Sequence, residues 1–233
     1  MKSRPPTSWH LLSGSYLYTA NILADELSEL VTEVLRNRQN LNSLIHVIPL
    51  TFASIFNARH GLELSLKSLM VIQGDGSSLK SKYQIHDLAK LFEFLEKGED
   101  GLVQIHSIPS QLDEMNYKED LATLKRMVAK YQGYSFRNIP SFINFEEISK
   151  VDLKNMFFRF PDESSISESV RYLFDERCNC HGDIDIYMKR NFEHLQNLIE
   201  LSKEIRSDVR DLIRIKDTVG TTVAAYVSKK VGS

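Results

Sequence analysis

The chain has 233 residues, 42% of them apolar and 26% charged, the balance of an ordinary globular protein long enough to bury a core. Its 29 basic and 31 acidic side chains leave a net charge of −2, so no global basic excess advertises nucleic-acid binding and any anion site has to be local. Nothing like a signal peptide's apolar run follows the first residues, the apolar stretch from Val47 to Phe56 is too short to span a bilayer, and Cys178 and Cys180 are too close in sequence for an unstrained bridge. Reduced thiols and no membrane segment lead to the expectation of a cytoplasmic protein.

Residues 1–13 read as an irregular lead. A long helix is predicted from about Gly14 to Arg38, with Leu23, Leu27, Leu30, Val31, Val34 and Leu35 on its apolar face. Asn40 and Asn42 mark a break. A second long helix is predicted from near Pro49, whose fixed φ suits a first turn, to Gln73, with Gly74 just beyond its end. After the loop Gly74–Ser78, a short helix His86–Lys97 is closed by Gly98. Ser110–Asp113, following Pro109, reads as the capping signal of another helix that carries Leu121, Leu124, Met127, Val128 and Tyr131 and stops near Gly133.

Residues 134–183 form the least regular part. Met156–Pro161 reads as a short strand or extended segment, and Ser164–Phe174 as a small helix or one arm of a hairpin. The last strong helix runs from about Asp183 to Ile213, with Ile184, Met188, Leu195, Leu198 and Ile199 on its buried side. Residues 215–233, with Val219-Gly220-Thr221-Thr222-Val223, read as a tail of no assigned form. The expected fold is therefore all-α: an up-and-down bundle of four to five long helices over residues 14–214, one domain, with an irregular insertion that has room for a short β-hairpin.

The second helix carries the most information. At about 100° per residue, Ile55, Leu62, Leu66 and Leu69 share one stripe, and Arg59, Glu63 and Lys67 follow at i, i+4 and i+8 on the stripe beside it. Charge at the border of a core is costly unless it is paired or used. Arg59–Glu63 and Glu63–Lys67 have the spacing to pair, and His60 sits against the same edge. Such a seam is either an ion ladder or one wall of a site.

Arg59-His60-Gly61-Leu62-Glu63-Leu64-Ser65-Leu66-Lys67-Ser68-Leu69, then a Gly/Ser loop, then His86-Asp87-Leu88-Ala89-Lys90-Leu91, resembles the HEPN superfamily, in which an RHxLExxLKxLL helix precedes an HDLxxL helix. Phe158-Arg159-Phe160-Pro161-Asp162 is similar to an RYPxD element of bacterial HEPN-like chains. The resemblance implies a four- to five-helix bundle, often dimeric, whose members include metal-independent ribonucleases of toxin–antitoxin and phage-defence systems and non-catalytic binding partners. Active members carry an Arg, often followed by Asn, Asp or His, and a His four to six residues later. Here the best match is Arg190-Asn191-Phe192-Glu193-His194, where three residues separate Arg190 from His194.

On that resemblance Arg190 binds the scissile phosphate, His194 transfers a proton and Asn191 orients the backbone. Arg59, His60, Glu63, Lys67 and His86 are expected to line the RNA or nucleotide groove. Residue chemistry agrees, since histidine titrates near neutrality and arginine holds phosphate bidentately. The expected partners are RNA or a nucleotide, and a second copy of the chain or another protein, with no DNA and no membrane. The alternative is a non-catalytic helical module that pairs with a partner protein. No cofactor or metal is expected: Cys178-Asn179-Cys180-His181 has zinc-ligand chemistry but no second cysteine pair. No nucleophile elbow, P-loop or dinucleotide fingerprint is present.

Overall fold

The computed structural model describes residues 8–37, 46–73, 84–99, 102–108, 114–138 and 184–231. They form five α-helices and one short 3-10 turn, with no strand among the described residues. In chain order these are α1 (Ser8–Arg36), α2 (Val47–Gln73), α3 (Leu88–Lys97), the 3-10 turn Ile105–Ser107, α4 (Glu114–Gly133) and α5 (Ile184–Val231). The extended segment expected at 156–161, the helix or hairpin arm expected at 164–174 and the capping signal expected at 110–113 lie outside the described residues. No helix among the described residues is long and apolar enough to cross a membrane.

Two boundaries differ by more than a turn from the sequence reading. The expected lead is helical from Ser8, because Ser13 and Leu17 lie on the buried face of α1 and extend its stripe toward the N-terminus. The expected tail is the end of α5, which continues to Val231. Val219, Val223 and Val227 recur every four residues and are all buried, and that burial outweighs the weak helix propensity of the Gly, Thr and Val around them.

The described residues fall into two compact units. The first draws on Met1–Tyr18, Arg59–Gly133 and Asp208–Ser233, the second on Thr19–Ala58 and Tyr134–Ser207. In the second unit Leu27, Val31 and Val34 of α1, Ile55 of α2, and Leu198, Leu201 and Ile205 of α5 are buried. Asp25 and Arg206 form an ion pair there, and the Arg137 N–H donates to Glu204 Oε2 at 3.0 Å.

The first unit buries Leu17 of α1; Leu62, Leu66 and Met70 of α2; Leu88, Leu91 and Leu95 of α3; Leu121, Leu124 and Tyr131 of α4; and Leu212, Ile215 and Val219 of α5. The α3 helix starts two residues later than predicted, at Leu88. Asp87 is its cap, with Oδ1 accepting from the Lys90 N–H at 3.0 Å, which leaves His86 just outside the helix. Gly98 closes it at φ +68°, a left-handed conformation that glycine adopts without strain, and its N–H donates to the Phe94 carbonyl.

Gly61 sits in the middle of α2 for a packing reason. A Cβ there would lie 2.7 Å from Leu17 Cγ and 3.2 Å from the Leu17 backbone nitrogen. Beside it the Ser13 hydroxyl lies 2.8 Å from the Gly61 carbonyl and 2.6 Å from the Ser65 hydroxyl, which itself reaches that carbonyl at 2.9 Å. Alanine in place of a helical glycine ordinarily stabilises by roughly 1 kcal/mol. Here the clash includes backbone, and overpacking of this kind costs about 1–3 kcal/mol. Gly61→Ala is therefore expected to lower the unfolding free energy, read as a smaller urea midpoint at unchanged slope; a higher midpoint would show that α1 and α2 are not in close contact at this position.

Candidate functional site

Four positions of the α2 seam carry polar side chains into the core of the first unit. Arg59, Glu63 and Lys67 are at most 1% exposed and His60 is 8% exposed. The sequence placed the seam at the border of the core; the structure places it inside. A charge buried to that degree needs a partner, and each has one.

Glu63 is the hub. Its Oε1 accepts from Lys67 Nζ at 2.7 Å and lies 3.0 Å from His86 Nδ1, while its Oε2 is 3.7 Å from His60 Nδ1. Lys67 is one turn ahead of it on the same helix, so the helix itself sets that pair. His86 arrives from the segment that enters α3, fixed by the Asp87 cap and by the Leu88 N–H, which donates to Gln132 Oε1 of α4 at 2.8 Å. Burial opposes the Glu63 carboxylate, but hydrogen bonds and charge from His60 and Lys67 outweigh it. The carboxyl is held well below the usual carboxylate range and stays ionised at neutral pH.

Aromatic rings of α1 cover the cluster. Trp9 lies under the Lys67 ammonium, 5.7 Å from ring centroid to nitrogen, and Tyr16 meets the His60 ring edge-on at 4.4 Å between centroids. Arg59 turns to α4, where its Nε donates to the Tyr131 carbonyl at 3.2 Å. The Tyr131 hydroxyl in turn donates to Asp208 Oδ2 at 3.2 Å, and Lys130 Nζ reaches the same carboxylate at 2.8 Å. A smaller cluster joins α1 to α5: Lys216 Nζ is 3.1 Å from His10 Nε2 and 3.0 Å from Asp217 Oδ1. Burial and the Lys216 charge push the His10 imidazole down, so the ammonium is the donor to it.

Of the residues singled out in the sequence, His60, Glu63, Lys67 and His86 come together, and Arg59 stands on the same helix against Tyr131. Arg190, Asn191 and His194 belong to α5 in the second unit. The side chains of Arg190 and Asn191 lie outside the described ones, and His194 is half-buried. Sequence reasoning missed Trp9, Tyr16, Tyr131 and Asp208. For Trp9 a signal existed: Trp9, Ser13, Tyr16, Leu17 and Ala20 share a helical stripe that continues into the predicted first helix. Among the described residues no group of His, Cys, Asp or Glu could hold a metal ion, and Cys178, Cys180 and His181 lie outside them.

The side chain of His86 is 25% exposed, against 1% for Glu63 and 2% for Lys67. The cluster is therefore dry at Glu63 and wet at the His86 ring. Arg59 and Lys67 are the basic side chains of the buried seam, and Glu63 is its carboxylate.

Replacing Glu63 by glutamine leaves the Lys67 ammonium buried without its counter-charge, and loss of one member of a buried pair costs about 3–5 kcal/mol. Because the folded carboxyl titrates below its unfolded value of 4.5, its contribution is fully present above about pH 4.5 and is lost as pH falls from there. Urea unfolding is expected to show Glu63→Gln destabilised by about 3 kcal/mol at pH 7, with the gap to wild type shrinking at pH 3.5. An equal gap at both pH values would mean the carboxylate charge is not what stabilises the site.

No protein-family model matches the chain, and no curated protein or solved structure matches it.

Proposed function

We propose that this protein recognises the phosphate of RNA or of a nucleotide and that it is a candidate metal-independent ribonuclease of the HEPN kind, working in the cytoplasm in a bacterial defence or toxin setting. The observation that carries the reading is the Glu63-centred cluster. It combines two basic side chains and a carboxylate in a dry seam with one imidazole, His86, that reaches solvent. Low dielectric behind an exposed imidazole strengthens its attraction for an anion once the ring is charged. The sequence likeness of the Arg59–Leu69 and His86–Leu91 stretches to HEPN helices supports the same reading.

In this proposal Arg59, His60, Glu63, Lys67 and His86 serve phosphate recognition, and Arg190, Asn191 and His194 serve cleavage, with Arg190 on the phosphate and His194 in proton transfer. Cleavage without metal needs an activated 2′-hydroxyl, a protonated leaving oxygen and charge stabilisation at phosphorus, all within reach of Arg and His chemistry. The same reading takes the five helices as an up-and-down bundle that works as a homodimer.

A second reading has its own support. Leu11, Leu12 and Tyr18 on α1 are 61%, 49% and 64% exposed, a run of large apolar side chains that suits a non-catalytic helical module with a partner protein.

Incubation of fluorescein-labelled single-stranded RNA with the protein in excess EDTA tests the proposal. Anisotropy is expected to show binding that weakens steeply with salt. A denaturing gel is expected to show cleavage that falls by about 10²-fold or more in His194→Ala and Arg190→Ala. RNA left unbound and uncut, with a second protein retained through purification, would favour the interaction module.

A further inference from the structure

The hydrogen bond between His86 and Glu63 decides what the exposed side of the imidazole can do. A carboxylate accepts hydrogen bonds and donates none. With Glu63 ionised, the 3.0 Å contact from His86 Nδ1 to Oε1 requires the proton to sit on Nδ1. The neutral ring then presents a bare lone pair at Nε2. A lone pair repels a phosphate oxygen, whereas an N–H attracts it. Among the described residues the bond to Glu63 is the one hydrogen bond this ring makes.

Resting on the proposed phosphate recognition, we infer that His86 Nε2 is the atom that contacts the phosphate and that it does so only after taking up a proton from solvent, so that each ligand bound brings one proton with it. Protonation makes Nε2–H a donor to the ligand while Nδ1–H stays on Glu63. The imidazolium is then held between two anions, the buried carboxylate and the bound phosphate. The ionisable neighbours are Glu63, Lys67 and His60 on α2 and Asp87 and Lys90 on its own segment; α4 presents the neutral Gln132, and α1 the rings of Trp9 and Tyr16 over the cluster. Glu63 is the member in direct contact, and its charge does not change across the neutral range.

Two of the amides at the start of α3 are already engaged. The Leu88 N–H is held by Gln132 and the Lys90 N–H by Asp87.

Isothermal titration with a twelve-nucleotide adenylate RNA, whose phosphodiesters stay ionised throughout, tests this directly. Titrations at pH 8 in buffers of different ionisation enthalpy count the protons taken up. Wild type is expected to take up about one proton per chain, and its affinity to fall up to about tenfold from pH 7 to pH 8. His86→Gln carries an amide that can donate at any pH; it is expected to bind RNA with no proton uptake at this site and a flat pH profile over the same interval. Long-range 15N NMR of the free wild-type protein at pH 8 is expected to show His86 as the Nδ1–H tautomer.

RNA binding by wild type without proton uptake, His86→Gln with the wild-type uptake, or an Nε2–H tautomer would each overturn the inference and leave phosphate recognition standing. A wild-type protein that binds no RNA at either pH would overturn both.

Discussion

An ionised carboxylate in the core of the first unit sets the terms for everything around it. Glu63 has almost no exposed surface, yet its carboxyl is held in the charged form by Lys67 and His60, with His86 in hydrogen-bond range. Bringing such a charge out of water costs several kcal/mol, an amount the hydrophobic contacts of one helix turn do not offset by themselves. The partners must therefore be delivered to within hydrogen-bond distance, and the helices of the unit are arranged to deliver them. Lys67 comes from the turn that follows on α2. His86 comes from the α3 entrance, which the Asp87 cap and Gln132 hold in place. The aromatic rings of α1 exclude water from above.

Small residues make that closure possible. Gly61, Ser13 and Ser65 let the backbones of α1 and α2 approach until Leu17 sits against the place where a side chain would be. The hydroxyls satisfy each other and the Gly61 carbonyl, so the close approach strands no buried polar group. Packing and electrostatics are thus coupled: a looser contact between α1 and α2 would admit water to the cluster and weaken each of its ion pairs. Buried ionic networks of this kind add less net stability than an apolar core of the same volume. Retention of so many ionisable groups in one seam is better understood through what the exposed member, His86, can do.

The all-α class and the course of α2 were legible because Ile55, Leu62, Leu66 and Leu69 repeat at helical spacing, and each of the four is buried. The Glu63–Lys67 pair was legible for the same reason. The depth of the seam was not. Sequence spacing gives the angle of a residue around its own helix, but what covers that face comes from elsewhere in the chain. Here the cover is Trp9 and Tyr16, and Trp9 fell within residues expected to be irregular. The meeting of His86 with Glu63 is equally non-local, spanning 23 positions, and rests on a capping geometry that starts α3 at Leu88. Roughly the last five turns of α5 were hidden by composition: Gly220, Thr221 and Thr222 argue against a helix locally, while Val219, Val223 and Val227 argue for one through burial.

The whole cluster depends on the charge state of Glu63. Selective 13C labelling and NMR of its carboxyl carbon, followed from pH 7 toward acid in the folded protein, measures that state without reference to any ligand. The resonance is expected to hold the position of an ionised carboxylate down to the pH at which the protein unfolds. Titration of Glu63 in the ordinary range near 4.5 or above it, with the fold intact, would contradict the account, because the network would then not depend on a charged core residue.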